Sequence, residues 1–139
     1  MPKVLNIRHI GIVVDSLTVA LHFYVRILGF REVNRGVLSP AKTNALLSIN
    51  KKLHWVKLKL PVKDRQPYIE LYFFPNGRVP MENDSPHHIS ITVQDIEHMF
   101  KKMNKLDLVL SKEIVTTDIA KVFFGLDPDG NIIEFVEEL

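Results

Sequence analysis

Four side chains in this sequence are placed to do chemistry. Two are histidines in near-identical settings: RHIGIVVDSL, residues 8 to 17, returns as HHISITVQDI, residues 87 to 96. A shift of 79 positions lays His9 on His88, Ile10 on Ile89, Ile12 on Ile91 and Val14 on Val93. The other two are carboxylates set among apolar neighbours, Glu70 in YIELYF and Glu134 in NIIEFVE. A glutamate in the middle of an apolar strand is costly to bury unless it is paired or binds a metal. Two imidazoles and two carboxylates form a mixed nitrogen and oxygen set suited to Ni, Co, Zn, Mn or Fe(II). Taken singly, a strand histidine is more often hydrogen-bonded or solvated, and a strand glutamate more often lies on a wet face. Four matching positions under an internal repeat point instead to one divalent metal held by His9, Glu70, His88 and Glu134.

The elements that must position these residues follow from the spacing of apolar side chains. Residues 4 to 14 are rich in Val and Ile and read as a strand. Asp15 and Ser16 offer a cap, and Leu17, Leu21, Tyr24 and Leu28 recur at helical spacing up to Gly29. A second strand, FREVNRGV, has Phe30 and Val33 as its expected core residues. Residues 37 to 54 form a loop with a short helix around Ala45 to Ile49; HWVKLKLP and YIELYFF are two further strands. The stretch from Pro75 to Pro86 is rich in Pro, Asn, Asp and Gly and reads as a linker.

The pattern then restarts. HHISITV is a strand, and DIEHMFKKMNKL a helix with Ile96, Met99, Phe100 and Met103 on one face. KEIVTT, KVFFGL and IIEFVEE are strands, the last two joined by a tight turn at DPDGN. The expected fold class is therefore α+β: two βαβββ modules, residues 1–74 and 87–139, joined by the linker 75–86 in one compact domain.

Strand alternation sorts the side chains by face. His9, Gly11 and Val13 point one way, and Ile10, Ile12 and Val14 point the other, to pack under the helix. In the repeat, His88, Ser90 and Thr92 oppose Ile89, Ile91 and Val93. Histidines beside small or hydroxylated neighbours suggest a cavity. Tyr68, Tyr72 and Phe74 share the face of Glu70 and are the candidate substrate-binding walls, with one of Phe123 and Phe124. Register and face both favour His88 over His87, while His22 and His98 read as solvated and His54 sits at an uncertain strand edge.

Composition excludes several classes. Eighteen basic and sixteen acidic residues give a formal charge of +2, too balanced for a nucleic-acid footprint. Lys51, Lys52, Lys57 and Lys59 read as a solvated edge. Without cysteine there is neither a disulfide framework nor thiolate chemistry. No segment approaches the roughly 18 apolar residues of a membrane span, and MPKVLNIRHI lacks a signal-peptide core, so a cytoplasmic protein is expected.

The segments RHIGIVVDSLTVALHFYVRILGF, YIELYFF, HHISITVQDI and LDPDGNIIEF together resemble the vicinal oxygen chelate superfamily. That superfamily includes glyoxalase I, methylmalonyl-CoA epimerase, fosfomycin-resistance proteins and extradiol dioxygenases. The resemblance implies paired βαβββ modules curled into a barrel-like metal-binding cleft. It makes His9 and Glu70 the ligands of the first module and His88 and Glu134 those of the second, a set similar to bacterial-type glyoxalase I. The epimerase usually has Gln where Glu70 stands, and the fosfomycin and dioxygenase branches use two His and one Glu. The implied activity is that of a metal-dependent lyase or isomerase on a small oxygenated substrate. Chelation would be followed by proton transfer to a loosened carboxylate, Glu134 in preference to Glu70. An Fe(II) extradiol-type dioxygenase and a non-catalytic drug-binding or resistance protein are the alternatives. A homodimer is expected, with each site either within one chain or shared between two.

Overall fold

Each helix begins where the chain supplies a capping oxygen. Ser16 Oγ accepts from the Val19 amide at 3.2 Å and starts α1 (Leu17–Leu21). Ser39 Oγ accepts from the Lys42 amide at 3.2 Å, and Pro40 opens α2 (Pro40–Leu47) with a preset φ. Asp95 Oδ1 accepts from the His98 amide at 3.0 Å and starts α3 (Ile96–Lys105). The cap at Ser39 explains why α2 starts five residues before the expected Ala45. It stops at Ser48, whose φ of 58° is left-handed. The single helix expected over residues 17–28 is α-helical only as far as Leu21 and then widens to a π-helix over His22–Ile27. Gly29, with φ of +84°, turns the chain so that the Phe30 amide reaches the Tyr24 carbonyl at 2.9 Å.

The computed structural model describes residues 2–27, 29–77, 87–126 and 132–139. Leu28, most of the expected linker (78–86) and the DPDGN turn (127–131) lie outside them. The strands of the first half are β1 (Val4–Val13), β2 (Arg31–Leu38), β3 (Leu53–Lys59) and β4 (Tyr68–Phe73). Those of the second are β5 (His88–Val93), β6 (Val115–Thr116), β7 (Ala120–Leu126) and β8 (Ile132–Glu138). All eight join one curled sheet in the order β2-β3-β4-β1-β5-β8-β7-β6. The first strand of each half runs parallel to its last, β1 with β4 and β5 with β8, and the halves meet where β1 and β5 pair antiparallel.

Both faces of the sheet are used. On one, α1 covers Ile12, Val14, Val56, Leu58 and Leu71, and α3 covers Ile91, Val93, Phe123 and Phe135. All four apolar residues expected along α3 do pack there. Each helix shields its own half, which leaves the seam between them open. Ile10 and Ile89 pair across that seam and are 50% and 52% exposed, contrary to the expectation that they pack under helices. Val33 is also exposed, because a register shift between Glu32 and Asn34 breaks the alternation of β2. On the opposite, concave face α2 lays Ala45, Leu46 and Leu47 over Val13, Tyr72, Phe74, Phe124 and Val136. The histidines and glutamates sit on this face.

Candidate metal centre

Strand register gathers the four side chains. In the first half Gly11, two residues beyond His9, pairs with Glu70. In the second Ser90, two beyond His88, pairs with Glu134. Antiparallel pairing of β1 and β5 then sets Gly11 opposite His88 and His9 opposite Ser90. Each half thus contributes a small residue where the other half's imidazole must lie. The fit at Gly11 is tight: a Cβ there would stand 1.8 Å from His88 Cε1. The repeat therefore brings all four residues together within one chain.

Three of the four converge on a point. His9 Nε2 and His88 Nε2 are 3.0 Å apart, and one Glu134 oxygen lies 2.6 Å from the first and 3.1 Å from the second. Ligands at right angles about an ion with bonds of about 2.1 Å stand about 3 Å from one another. The triangle therefore has the spacing of three ligand atoms around one ion, and its donors suit a divalent transition metal. Glu70 stands apart, its carboxylate 3.6 Å from His9 Nδ1 on the other side of the ring. That distance is too long for a hydrogen bond and leaves His9 Nδ1 buried without one. Tyr72 lines the same cavity as Glu70.

All four groups are nearly sealed from solvent: His9 is 1% exposed, His88 and Glu134 5%, Glu70 9%. Tyr72 and Phe124 hold the His88 ring at centroid distances of 5.1 and 5.2 Å. Burial raises the Glu70 pKa, and the nearby imidazoles only partly offset it. Burial pushes Glu134 the same way, but His9 and His88 reverse it, holding that carboxyl well below the usual range. His9 is lowered by burial and raised more strongly by Glu134 and Glu70, so its pKa ends above the ordinary value. The environment therefore moves the two carboxyl groups in opposite directions.

Beside the triangle lies a cavity of ≈ 70 Å³ with mostly apolar walls. Leu46 and Leu47 of α2 roof it, and Trp55, Tyr72 and Phe124 line its sides, with Arg8 and Lys57 at the polar end. Of the expected walls, Tyr72 lines this cavity. Tyr68 packs its ring 5.3 Å from the His9 ring but lines a neighbouring cleft, and Phe74 is buried in the core beyond the cavity. Of the phenylalanine pair, Phe124 is the wall and Phe123 packs under α3. His87 is exposed, 3.4 Å from the Gly11 carbonyl, and His22 and His98 are exposed as expected.

Lys57 corrects the reading of its cluster as a solvated edge. It is half-buried at the cavity, 4.7 Å above the Tyr68 ring, and burial lowers its pKa, with Arg8 adding to the effect. Sequence reasoning also missed Trp55. Trp55 and Lys57 share one face of β3, and the pairing of Lys57 with Glu70 turns that face toward the site. Among the described residues, no helix is long and apolar enough to cross a membrane.

Comparison with solved structures finds the same fold at low identity. Methylmalonyl-CoA epimerase from Mycobacterium tuberculosis is 18% identical, with 98% of this chain and 89% of that one covered at a TM-score of 0.72. A hypothetical protein from Bacillus halodurans C-125 is 23% identical, with coverages of 99% and 95% and a TM-score of 0.69. A glyoxalase/bleomycin resistance protein/dioxygenase superfamily member from Vibrio splendidus 12B01 is 18% identical, with coverages of 95% and 99% and a TM-score of 0.60. Comparison with curated proteins finds no match. The model of one family, however, matches residues 6–135, almost the whole chain. The duplicated modules, the curled sheet and this match agree, and the chain belongs to the Glyoxalase/Bleomycin resistance protein/Dioxygenase superfamily.

Proposed function

We propose that the protein is a divalent-metal-dependent enzyme of lyase or isomerase type, which moves a proton on a small substrate bearing two neighbouring oxygens. The observation that carries this reading is the triangle of His9 Nε2, His88 Nε2 and a Glu134 oxygen, with sides of 2.6, 3.0 and 3.1 Å, beside a sheltered cavity. His9, His88 and Glu134 would hold the ion. The ion supplies Lewis acidity toward the chelated oxygens.

Glu70 is the better general base. Both carboxylates line the cavity, but Glu134 engages both imidazoles through one oxygen, whereas Glu70 stands outside the triangle. A base must lie within reach of the proton it takes, and Glu70 borders the space a substrate would fill. Leu46, Leu47 and Trp55 keep water from the reacting carbon. A homodimer is part of the same proposal, with the exposed apolar residues of β1 and β5 at the contact.

Exchange of a carbon-bound proton tests this reading. Metal-loaded protein is incubated in heavy water with a panel of α-hydroxy ketones and α-hydroxy thioesters, and deuterium uptake is followed by NMR. Uptake in wild type, lowered roughly 10²- to 10⁴-fold in Glu70→Gln with metal retained, is the expected result. No uptake from any compound by metal-loaded wild type contradicts it. A triangle of two histidines and one carboxylate is also the ligand set of Fe(II) oxygenases. Oxygen consumption by iron-loaded protein with a catechol would favour that second reading.

A further inference from the structure

Next to the apolar cavity is a second and larger cleft of ≈ 600 Å³, which the proposed chemistry does not use. Its lining is polar and strongly cationic. Five cations, Arg8, Lys57, Lys59, Lys63 and Arg65, face two carboxylates, and one of those, Glu138, is already paired to Arg8. Among the described residues, Lys57, Lys59, Lys63 and Arg65 form no ion pair. Like charges held this close repel unless an anion joins them.

A second observation points the same way. Tyr68 lines this cleft, is 9% exposed, and has a buried hydroxyl with no hydrogen-bond partner. An orphaned buried donor is costly to the fold and is uncommon without a ligand or water to satisfy it. Three of the cations stand over the same ring: Lys57 Nζ at 4.7 Å, Lys59 Nζ at 5.8 Å and Arg8 Cζ at 5.6 Å from its centroid. They flank the ring whose hydroxyl lacks a partner. The chemistry that satisfies a neutral donor and several cations together is a multiply charged oxyanion.

Arg8 and Lys57 line both the cleft and the apolar cavity, so the two spaces adjoin. We propose that the cleft binds the diphosphate of a phosphorylated substrate, whose apolar portion passes Arg8 and Lys57 into the cavity beside the His-His-Glu triangle. This deepens the metal-centre reading and rests on it for the location of the reactive end. The anion site itself stands on the cleft alone.

The test uses two probes on the full chain stripped of metal, so that the anion site is judged separately from the metal centre. Inorganic pyrophosphate is titrated calorimetrically into wild type, Tyr68→Phe and the double charge reversal Lys63→Glu with Arg65→Glu. Lys63 and Arg65 are exposed, so their reversal leaves the core untouched. We expect binding to metal-free wild type that weakens with salt, falls roughly tenfold in Tyr68→Phe, and falls further in the charge reversal. No binding at low salt, or equal binding by all three proteins, overturns the proposal. Binding that appears only after metal is restored also overturns it, because the anion then sits on the ion. The second probe is a short-chain alkyl diphosphate, read by fluorescence of Trp55, the chain's one tryptophan, at the cavity wall. A Trp55 response with the alkyl diphosphate and none with pyrophosphate places the chain in the cavity. Equal, silent binding of both probes would make the cleft a site for free anions and overturn the substrate-tail assignment. Loss of metal binding in His88→Ala bears only on the metal centre, so the two readings fail separately.

Discussion

At the scale of single residues, the centre depends on what is small as much as on what is charged. Gly11 lies under the His88 imidazole with no room for a methyl group. Gly11→Ala must push that ring off its position and open the triangle. We expect metal affinity to fall on the order of 10- to 100-fold with the fold intact, as measured by competition with a chromophoric chelator alongside circular dichroism. Unchanged affinity would mean that the ring position does not matter. His9, His88 and Glu134 were legible because an internal repeat offered each a twin or a matching strand, and alternation gave the face. The positions of the two carboxylates around the imidazoles were not legible. Glu70 and Glu134 read alike in sequence, yet one lies at His9 Nδ1 and the other at Nε2. That difference arises from side-chain rotamers and strand curvature, which leave no periodic mark.

At the scale of elements, α2 is the piece that closes the site. Its C-terminal end is tied to the second half of the chain by Ser111, whose hydroxyl donates to the Leu46 carbonyl at 2.7 Å and accepts from the Phe124 amide at 2.7 Å. The Lys112 amide adds a bond to the Ala45 carbonyl at 2.7 Å. Ser111 is buried, so removing its hydroxyl strands two backbone groups. Ser111→Ala should lower stability by about 1–3 kcal/mol in urea unfolding. An unchanged midpoint would show that α2 is held by its leucines alone. The existence of α2 was expected, but its start was misplaced, since the capping serine precedes any apolar periodicity. The widening of the first helix to a π-helix was also invisible, because apolar spacing does not distinguish the two. By contrast, α3 was read with its buried face correct, from a clean separation of apolar and charged positions.

At the scale of the whole molecule, duplication sets the architecture. One βαβββ plan is written twice, the copies pair through β1 and β5, and a site no half possesses alone forms across the seam. The α+β class and the two modules were therefore legible from strand and helix periodicities. Sheet order was not, because register between distant strands has no local signature. The exposed seam was missed for a related reason: alternation assigns Ile10 and Ile89 a face but cannot say whether a helix covers it. If this seam is the contact between two copies, Ile10→Asp combined with Ile89→Asp should convert a dimer to a monomer in sedimentation velocity. A monomeric wild type would contradict the dimer. The central claim is the metal centre, and metal content tests it most directly. Wild type, His88→Ala and Glu134→Ala are purified, reconstituted with each candidate divalent ion, desalted and measured by elemental analysis. Close to one ion per chain in wild type, lost from both variants, is the result expected of the triangle. Wild type that retains none of the ions would contradict it.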